Sequence, residues 1–212
     1  MGTITIPAPA KMRLLYLMRL LERGMNSPVT SAQIEALTGW ASHTIRKDIS
    51  FLGAAAQGGS AAGMAGSQGG YDPEALIALI KKTLGFDKRR KFCVVGLGRL
   101  GSAYLNIPDR EDGGFELAAG FDTNVNRTEI LKSPAPLYPA YKMGEVVSRF
   151  GIEIALLCVP PESAQAAADK LAAAGIRGIL NFAPVAITVP PEVAVRNVYL
   201  IDELRALTIR MP

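Results

Sequence analysis

The run Phe92-Cys93-Val94-Val95-Gly96-Leu97-Gly98-Arg99-Leu100-Gly101 constrains this chain more than any other segment. A short apolar stretch passes into three glycines at GxGxxG spacing and then into a helix-forming sequence, the pattern that carries a dinucleotide pyrophosphate between a strand and a helix. Gly96 makes the tight turn, Gly98 admits the phosphates close to the backbone, and Gly101 lets the helix pack closely. Leu97, Arg99 and Leu100 complete the loop, and the helix start adds unpaired N–H groups and the positive end of its dipole. A second apolar strand, 115–121, ends in Asp122, roughly 20 residues past the last glycine, where a carboxylate bonds the ribose 2′-hydroxyl and repels a 2′-phosphate. No Arg follows among Thr123, Asn124, Val125 and Asn126, so the spacing predicts NAD⁺ and NADH rather than their phosphorylated analogues.

Downstream, an apolar strand over 152–159 ends in Pro160 and Pro161, an Ala-rich helix spans 162–174, and a strand over 178–182 ends in Ala183 and Pro184. The expected fold is α/β, with a doubly wound, Rossmann-like parallel sheet. Ligands of such sheets lie beyond the carboxyl ends of the strands. Cys158, Val159 and Pro160, with Asn181, Phe182, Ala183 and Pro184, therefore wall the nicotinamide half. Catalytic residues do not suggest themselves. Tyr138 and Lys142 have a reductase-like spacing, but Pro139 between them opposes the helix that would align the pair. Cys93 and Cys158 lie in apolar runs without CxxC spacing, and His43 is the only histidine, so zinc and disulfide frameworks are excluded. The residues after Pro184 are too few for a substrate domain. An enzyme is not expected.

The chain has 212 residues, 49% hydrophobic and 20% charged, enough for one large or two small domains. No run approaches the roughly 20 apolar residues of a membrane span, and no basic and apolar leader opens the chain, so a cytoplasmic location without a membrane partner is expected. The first helix covers about 11–23, with Leu14, Met18 and Leu21 inward and Tyr16, Arg19 and Arg23 on another face. Thr30 and Gln33 have capping-box spacing for a short helix, Gly39 supplies a turn, and Ser42 can cap the next helix. In that helix Ile45, Ile49 and Leu52 face inward, leaving His43, Thr44, Arg46, Lys47 and Ser50 outward. Two helices joined by a short turn form a helix-turn-helix pattern. Its outward face suits either DNA, with Arg on guanine edges and Lys on phosphates, or plain solvation of a small bundle. Trp40 reads as a turn residue over the small core. The tract 53–70, uncharged with seven glycines, is a linker or a long hairpin. A helix over 73–84 follows, capped by Asp72 and ended by Gly85, and residues 88–91 read as a solvated basic linker.

Taken together, these motifs resemble the Rex family of redox-sensing transcriptional repressors over nearly the whole chain. The resemblance rests on Ile6-Pro7, Thr44-Ile45-Arg46-Lys47-Asp48, Gly70-Tyr71, Gly96 to Gly101 and Phe121-Asp122, and further on Val159-Pro160 and Gly178-Ile179-Leu180-Asn181-Phe182-Ala183-Pro184. It implies a winged-helix DNA-binding domain with a linker helix over 1–85, a Rossmann domain over 86–198, and a C-terminal helix over 199–212 swapped between the subunits of a homodimer. It further implies binding to double-stranded, palindromic operator DNA in the apo or NAD⁺ state and release by NADH through dimer closure. The uncharged wing leaves the DNA contacts to Arg13, Tyr16, Ser42, His43, Thr44, Arg46 and Lys47. Tyr199 stands where the resemblance places an acidic switch residue. Two rival readings are a small NAD-dependent oxidoreductase with an accessory helical domain and a CoA-binding module.

Overall fold

The computed structural model describes residues 6–24, 28–55, 70–106, 114–209 and 211. The chain divides into two compact units, Met1–Lys88 and Arg89–Pro212.

The first unit is helical: α1 (Ala8–Glu22), α2 (Ser31–Thr38), α3 (Ser42–Ala55) and α4 (Pro73–Leu84). Helix α1 starts three residues earlier than the sequence suggests, because prolines are tolerated in a first turn whose N–H groups have no helical partner. The capping box opens α2: the Gln33 amide N–H donates to Thr30 Oγ1, and the Thr30 N–H donates to Gln33 Oε1 at 2.8 Å. Gly39, at φ 72°, closes it. The expected cap of α3 differs. Ala41 carbonyl accepts the Thr44 and Ile45 amides, while the Ser42 N–H and hydroxyl both donate to the Glu35 carboxylate. Asp72 caps α4 through the Glu74 and Ala75 amides, and Gly85 ends it at φ 74°. Leu14, Leu17, Ile34, Ile45, Leu52, Leu76 and Ile80 form the buried center. A two-residue antiparallel bridge between Val29 and Tyr71 ties the entry to α2 to the entry to α4. The glycine-rich tract is helical up to Ala55; its residues 56–69, and hence the linker and wing readings, lie outside the described residues.

The second unit contains β1 (Arg90–Val95), α5 (Arg99–Tyr104), β2 (Phe115–Asp122), α6 (Val125–Ile130), β3 (Leu137–Pro139), α7 (Met143–Phe150), β4 (Ile154–Leu157), α8 (Pro161–Ala173), β5 (Gly178–Asn181), β6 (Ala194–Asn197) and α9 (Leu200–Thr208). All pairings are parallel, in the order β3-β2-β1-β4-β5-β6, the doubly wound arrangement. Alternation along the strands sends Cys93, Val95, Phe121 and Leu157 into one core with α7 and α8, and Val94, Leu156 and Leu180 toward the α5 face. Fully buried Ala164 and Ala168 let α8 lie close to the sheet.

The basic run 88–91 is not a free linker. Arg90 and Lys91 belong to β1, where Arg90 pairs with Glu153 at 2.7 Å and Lys91 Nζ donates to the Phe150 carbonyl. Pro139 ends β3, and a 3₁₀ turn follows over Ala140–Lys142, so Tyr138 and Lys142 share no helix. Among the described residues, no helix is long and apolar enough to cross a membrane, and no cluster of His, Cys, Asp or Glu is arranged to hold a metal ion.

Candidate nucleotide site and nucleic-acid interface

Strand order reverses between β1 and β4, and there the carboxyl ends of the strands open a cleft of about 630 Å³. Gly96, Gly98, Asp122, Val159 and Pro160 line it together with Cys158, Thr123, Arg127 and the start of α8. The chain itself requires two of the three glycines. Gly96 lies at φ 89°, and a Cβ there would stand 2.6 Å from the Cys158 carbonyl oxygen. A Cβ on Gly101 would lie 1.8 Å from the Gly96 carbonyl oxygen, so close packing of α5 on the turn forbids any side chain. Gly98 has an ordinary φ of −68°, and a Cβ there would meet no atom within 4 Å. The chain itself has no need of glycine at that position, and the absence of a side chain leaves the backbone open to the cleft. That cradle fits a pyrophosphate, with the first amides of α5, at Arg99 and Leu100, near it.

Asp122 is 4% exposed, and its carboxylate is fixed by two backbone donors: the Leu97 N–H to Oδ2 and the Asn124 N–H to Oδ1, both at 2.7 Å. Arg127 Nη1 lies 3.4 Å from Oδ2. This arginine, the third residue of α6, lies beyond the four residues after the acid that the spacing argument covers. The Leu97 side chain is buried at 2% exposure in the α5-face core, so this residue serves the site through its amide.

Two expected wall residues have buried side chains. Asn181 is fully buried: its amide nitrogen donates to the Val185 carbonyl and to Asn197 Oδ1, and its oxygen accepts the Ala183 N–H. Ala183 is 1% exposed. Both side chains are buried in the turn after β5. Burial pushes the thiols of Cys93 and Cys158 up to about 12, which leaves them protonated and unreactive near neutrality.

On the first unit, α3 presents His43, Arg46, Lys47 and Ser50 to solvent, with Thr44 half-buried. Arg46 Nη1 donates to Ser31 Oγ at 3.1 Å, and Thr44 Oγ1 lies 3.3 Å from His43 Nε2. Glu35, beside Ser42, is held below the usual carboxylate range by the Ser42 hydroxyl and amide, with smaller help from the His43 and Arg46 charges. Tyr16 is half exposed and packs edge-on against Trp40, ring centers 5.4 Å apart. Ser42 and Arg13 of the expected DNA contacts bond acids of the same unit. Ser42 is tied to Glu35, and Arg13 forms a two-pronged ion pair with the buried Asp48, at 2.6 and 2.9 Å, that clamps α1 to α3. Asp48 follows Ile45 by three residues on the inward stripe, the one sequence signal that it points into the core.

Relatives that match over most of the chain decide the family. A redox-sensing transcriptional repressor Rex from Levilactobacillus brevis is 37% identical over 179 residues, covering 84% of this chain and 80% of that protein. Another, from Ligilactobacillus salivarius, is 36% identical over 210 residues, covering 98% of this chain and 94% of that protein. The chain belongs to the Rex family of redox-sensing transcriptional repressors. Among solved structures, RSP, a Rex-family repressor, aligns at 29% identity with a TM-score of 0.81, over 98% of this chain and 94% of that chain. RSP in complex with beta-NAD⁺ and operator DNA aligns at 30% identity with a TM-score of 0.84, over 98% and 93%. The CoA binding domain family also matches, over residues 87–185.

A second hollow of this Rex-family chain, about 780 Å³, lies beyond β5 and is lined by Leu100, Tyr104, Phe182, Pro184, Tyr199 and residues of α9. Of the predicted cofactor residues, Gly96, Gly98, Asp122, Val159 and Pro160 line the main cleft and Leu100, Phe182 and Pro184 line this hollow, whereas Leu97, Arg99, Gly101, Asn181 and Ala183 line neither. Arg99 lies exposed at the start of α5. The Tyr199 hydroxyl is buried and has no hydrogen-bond partner among the described residues.

Proposed function

We propose that this Rex-family chain is a homodimeric transcriptional repressor that senses the ratio of NADH to NAD⁺, binding palindromic operator DNA when apo or NAD⁺-bound and releasing it when NADH binds. What carries the reading is near-complete coverage of RSP, a repressor solved with beta-NAD⁺ and operator DNA and also with beta-NADH. The chain is a regulator and not an enzyme, and acting on DNA places it in the cytoplasm. The nucleotide lies along Gly96, Gly98 and the start of α5. Asp122 takes the ribose hydroxyls, and Val159, Pro160, Phe182 and Pro184 border the nicotinamide side.

Residues 1–85 bind DNA, with Arg46 on base edges and Lys47 on phosphates, joined by Tyr16, His43 and Thr44. Residues 86–198 hold the nucleotide, and 199–212 cross to the partner. Two observations support the crossing. Every described residue of α9 is exposed, including Leu200, Leu204 and Leu207 on one stripe. The α5 face of the sheet also leaves an apolar hollow of about 500 Å³, lined by Phe92, Ile154, Leu156, Leu180 and Val195. A second copy of the chain covers both.

The switch is a population shift: NADH binds a closed dimer better than an open one, and DNA the reverse. Recognition helices of a dimer read successive major grooves only when about 34 Å apart, so a rigid rotation is enough to release the operator. The test uses a duplex selected from a random pool at fixed salt. Arg46→Ala and Lys47→Ala should weaken its binding while NADH affinity stays at the wild-type value. Loss of both activities in folded variants would break this division of labor.

A further inference from the structure

We propose that Arg127 gives the nucleotide cleft a place for a phosphate on the adenosine ribose, so that NADPH binds more weakly than NADH but is not shut out. The inference rests on the nucleotide reading above. In sheets of this kind a carboxylate after the second strand accepts ribose hydroxyls and repels a 2′-phosphate, whereas a nearby arginine accommodates that phosphate. This chain holds both groups at one spot. Asp122 cannot swing away, because the Leu97 and Asn124 amides hold its two oxygens at 2.7 Å. Its charge is already partly met by those two donors and by the Arg127 guanidinium.

Arg127, by contrast, is loosely held. Its 3.4 Å approach to Asp122 is long against the roughly 2.7–2.9 Å of a strong charge-assisted bond, and its side chain is 51% exposed. It lines the same cleft as Gly98, Asp122 and Thr123. The planar guanidinium fork suits a phosphate better than it suits one carboxylate oxygen that already accepts an amide. A phosphate arriving on the ribose therefore finds a cation that turns to it at little cost, beside an acid whose charge the Leu97 and Asn124 amides still partly meet. The same chemistry has two sources, the 2′-phosphate of NADPH and the 3′-phosphate of a CoA-type ligand, and the geometry beside the ribose acid favors the first.

Calorimetric and competition titrations of the full-length protein test this with NADH, NADPH, 2′,5′-ADP and 3′,5′-ADP, in wild type, Arg127→Ala and Arg127→Lys. NADPH should compete with NADH in the wild type. In Arg127→Ala the ratio of the NADPH to the NADH dissociation constant should rise about tenfold or more, the loss of one charge-assisted phosphate contact, and Arg127→Lys should recover part of it. 2′,5′-ADP should follow NADPH. An equal effect on both cofactors, or NADPH that fails to compete at about a hundredfold excess, overturns the inference while the nucleotide reading stands. Arg127 dependence confined to 3′,5′-ADP overturns it in favor of a CoA-type ligand. NADH that does not bind the wild type removes the nucleotide reading itself, and this inference with it.

Discussion

Replacing Gly98 by Ala separates what the fold needs from what the ligand needs. With φ at −68° and no atom within 4 Å of the added Cβ, the substitution strains nothing in the chain. Fewer unfolded conformations stabilize the variant by about 0.4–1 kcal/mol. Gly98 is also the residue before α5, where Ala serves less well than Gly at a cost of several tenths to about 1 kcal/mol. The two effects nearly cancel, so the melting temperature should stay within about 2 °C, given about 2–4 °C per kcal/mol for a chain of this size. The methyl group instead occupies space where the pyrophosphate approaches the backbone. NADH affinity should fall at least about tenfold, or about 1.4 kcal/mol. Gly101→Ala supplies the contrast: its Cβ would lie 1.8 Å from the Gly96 carbonyl oxygen, and forcing the turn apart costs about 1–3 kcal/mol or more. Scanning fluorimetry and calorimetry on both variants check this. Wild-type NADH affinity in Gly98→Ala, or destabilization equal to that of Gly101→Ala, would refute the argument.

Three further outcomes are expected. Asp48→Asn leaves the Arg13 guanidinium without its buried counter-charge; because Arg13 is partly exposed, the cost should be about 1.5–3 kcal/mol in denaturant unfolding, and a loss below about 0.5 kcal/mol would count against the clamp. Cys158, with its thiol pushed up to about 12 by burial, should alkylate slowly near pH 7–8 and accelerate as pH rises toward that value, since only the thiolate reacts; rates matching free cysteine at pH 8 would contradict the burial. Lys47→Ala should reduce the slope of log affinity against log salt by about one unit across all duplexes, as the loss of one phosphate contact requires, and an unchanged slope would remove Lys47 from the backbone contacts.

Features set by local chemistry were legible in the sequence. The Thr30 and Gln33 capping box, the Asp72, Pro73 and Gly85 bounds of α4, the glycine turn and the acid ending β2 all depend on residues a few positions apart. Pairings across distance were not. Arg13 and Asp48 are 35 residues apart, and Asn181 reaches Asn197 across the edge of the sheet. Strand β6, Ala194–Asn197, is an edge strand of mostly exposed residues and carries little apolar signal; its place comes from pairing with β5. Ser42 has the chemistry of a cap but lies already inside α3, where its amide and hydroxyl donate to Glu35 while Ala41 stands at the cap. Arg127 follows the acid by five residues, and the turn into α6 returns it to Asp122.

The most direct measurement is fluorescence anisotropy of a selected palindromic duplex bound by the full-length protein at fixed salt, titrated with NADH and separately with NAD⁺. The account predicts release by NADH at concentrations where NAD⁺ leaves the complex intact. Equal release by both nucleotides, or a complex indifferent to NADH that is nonetheless bound to the protein, would contradict it.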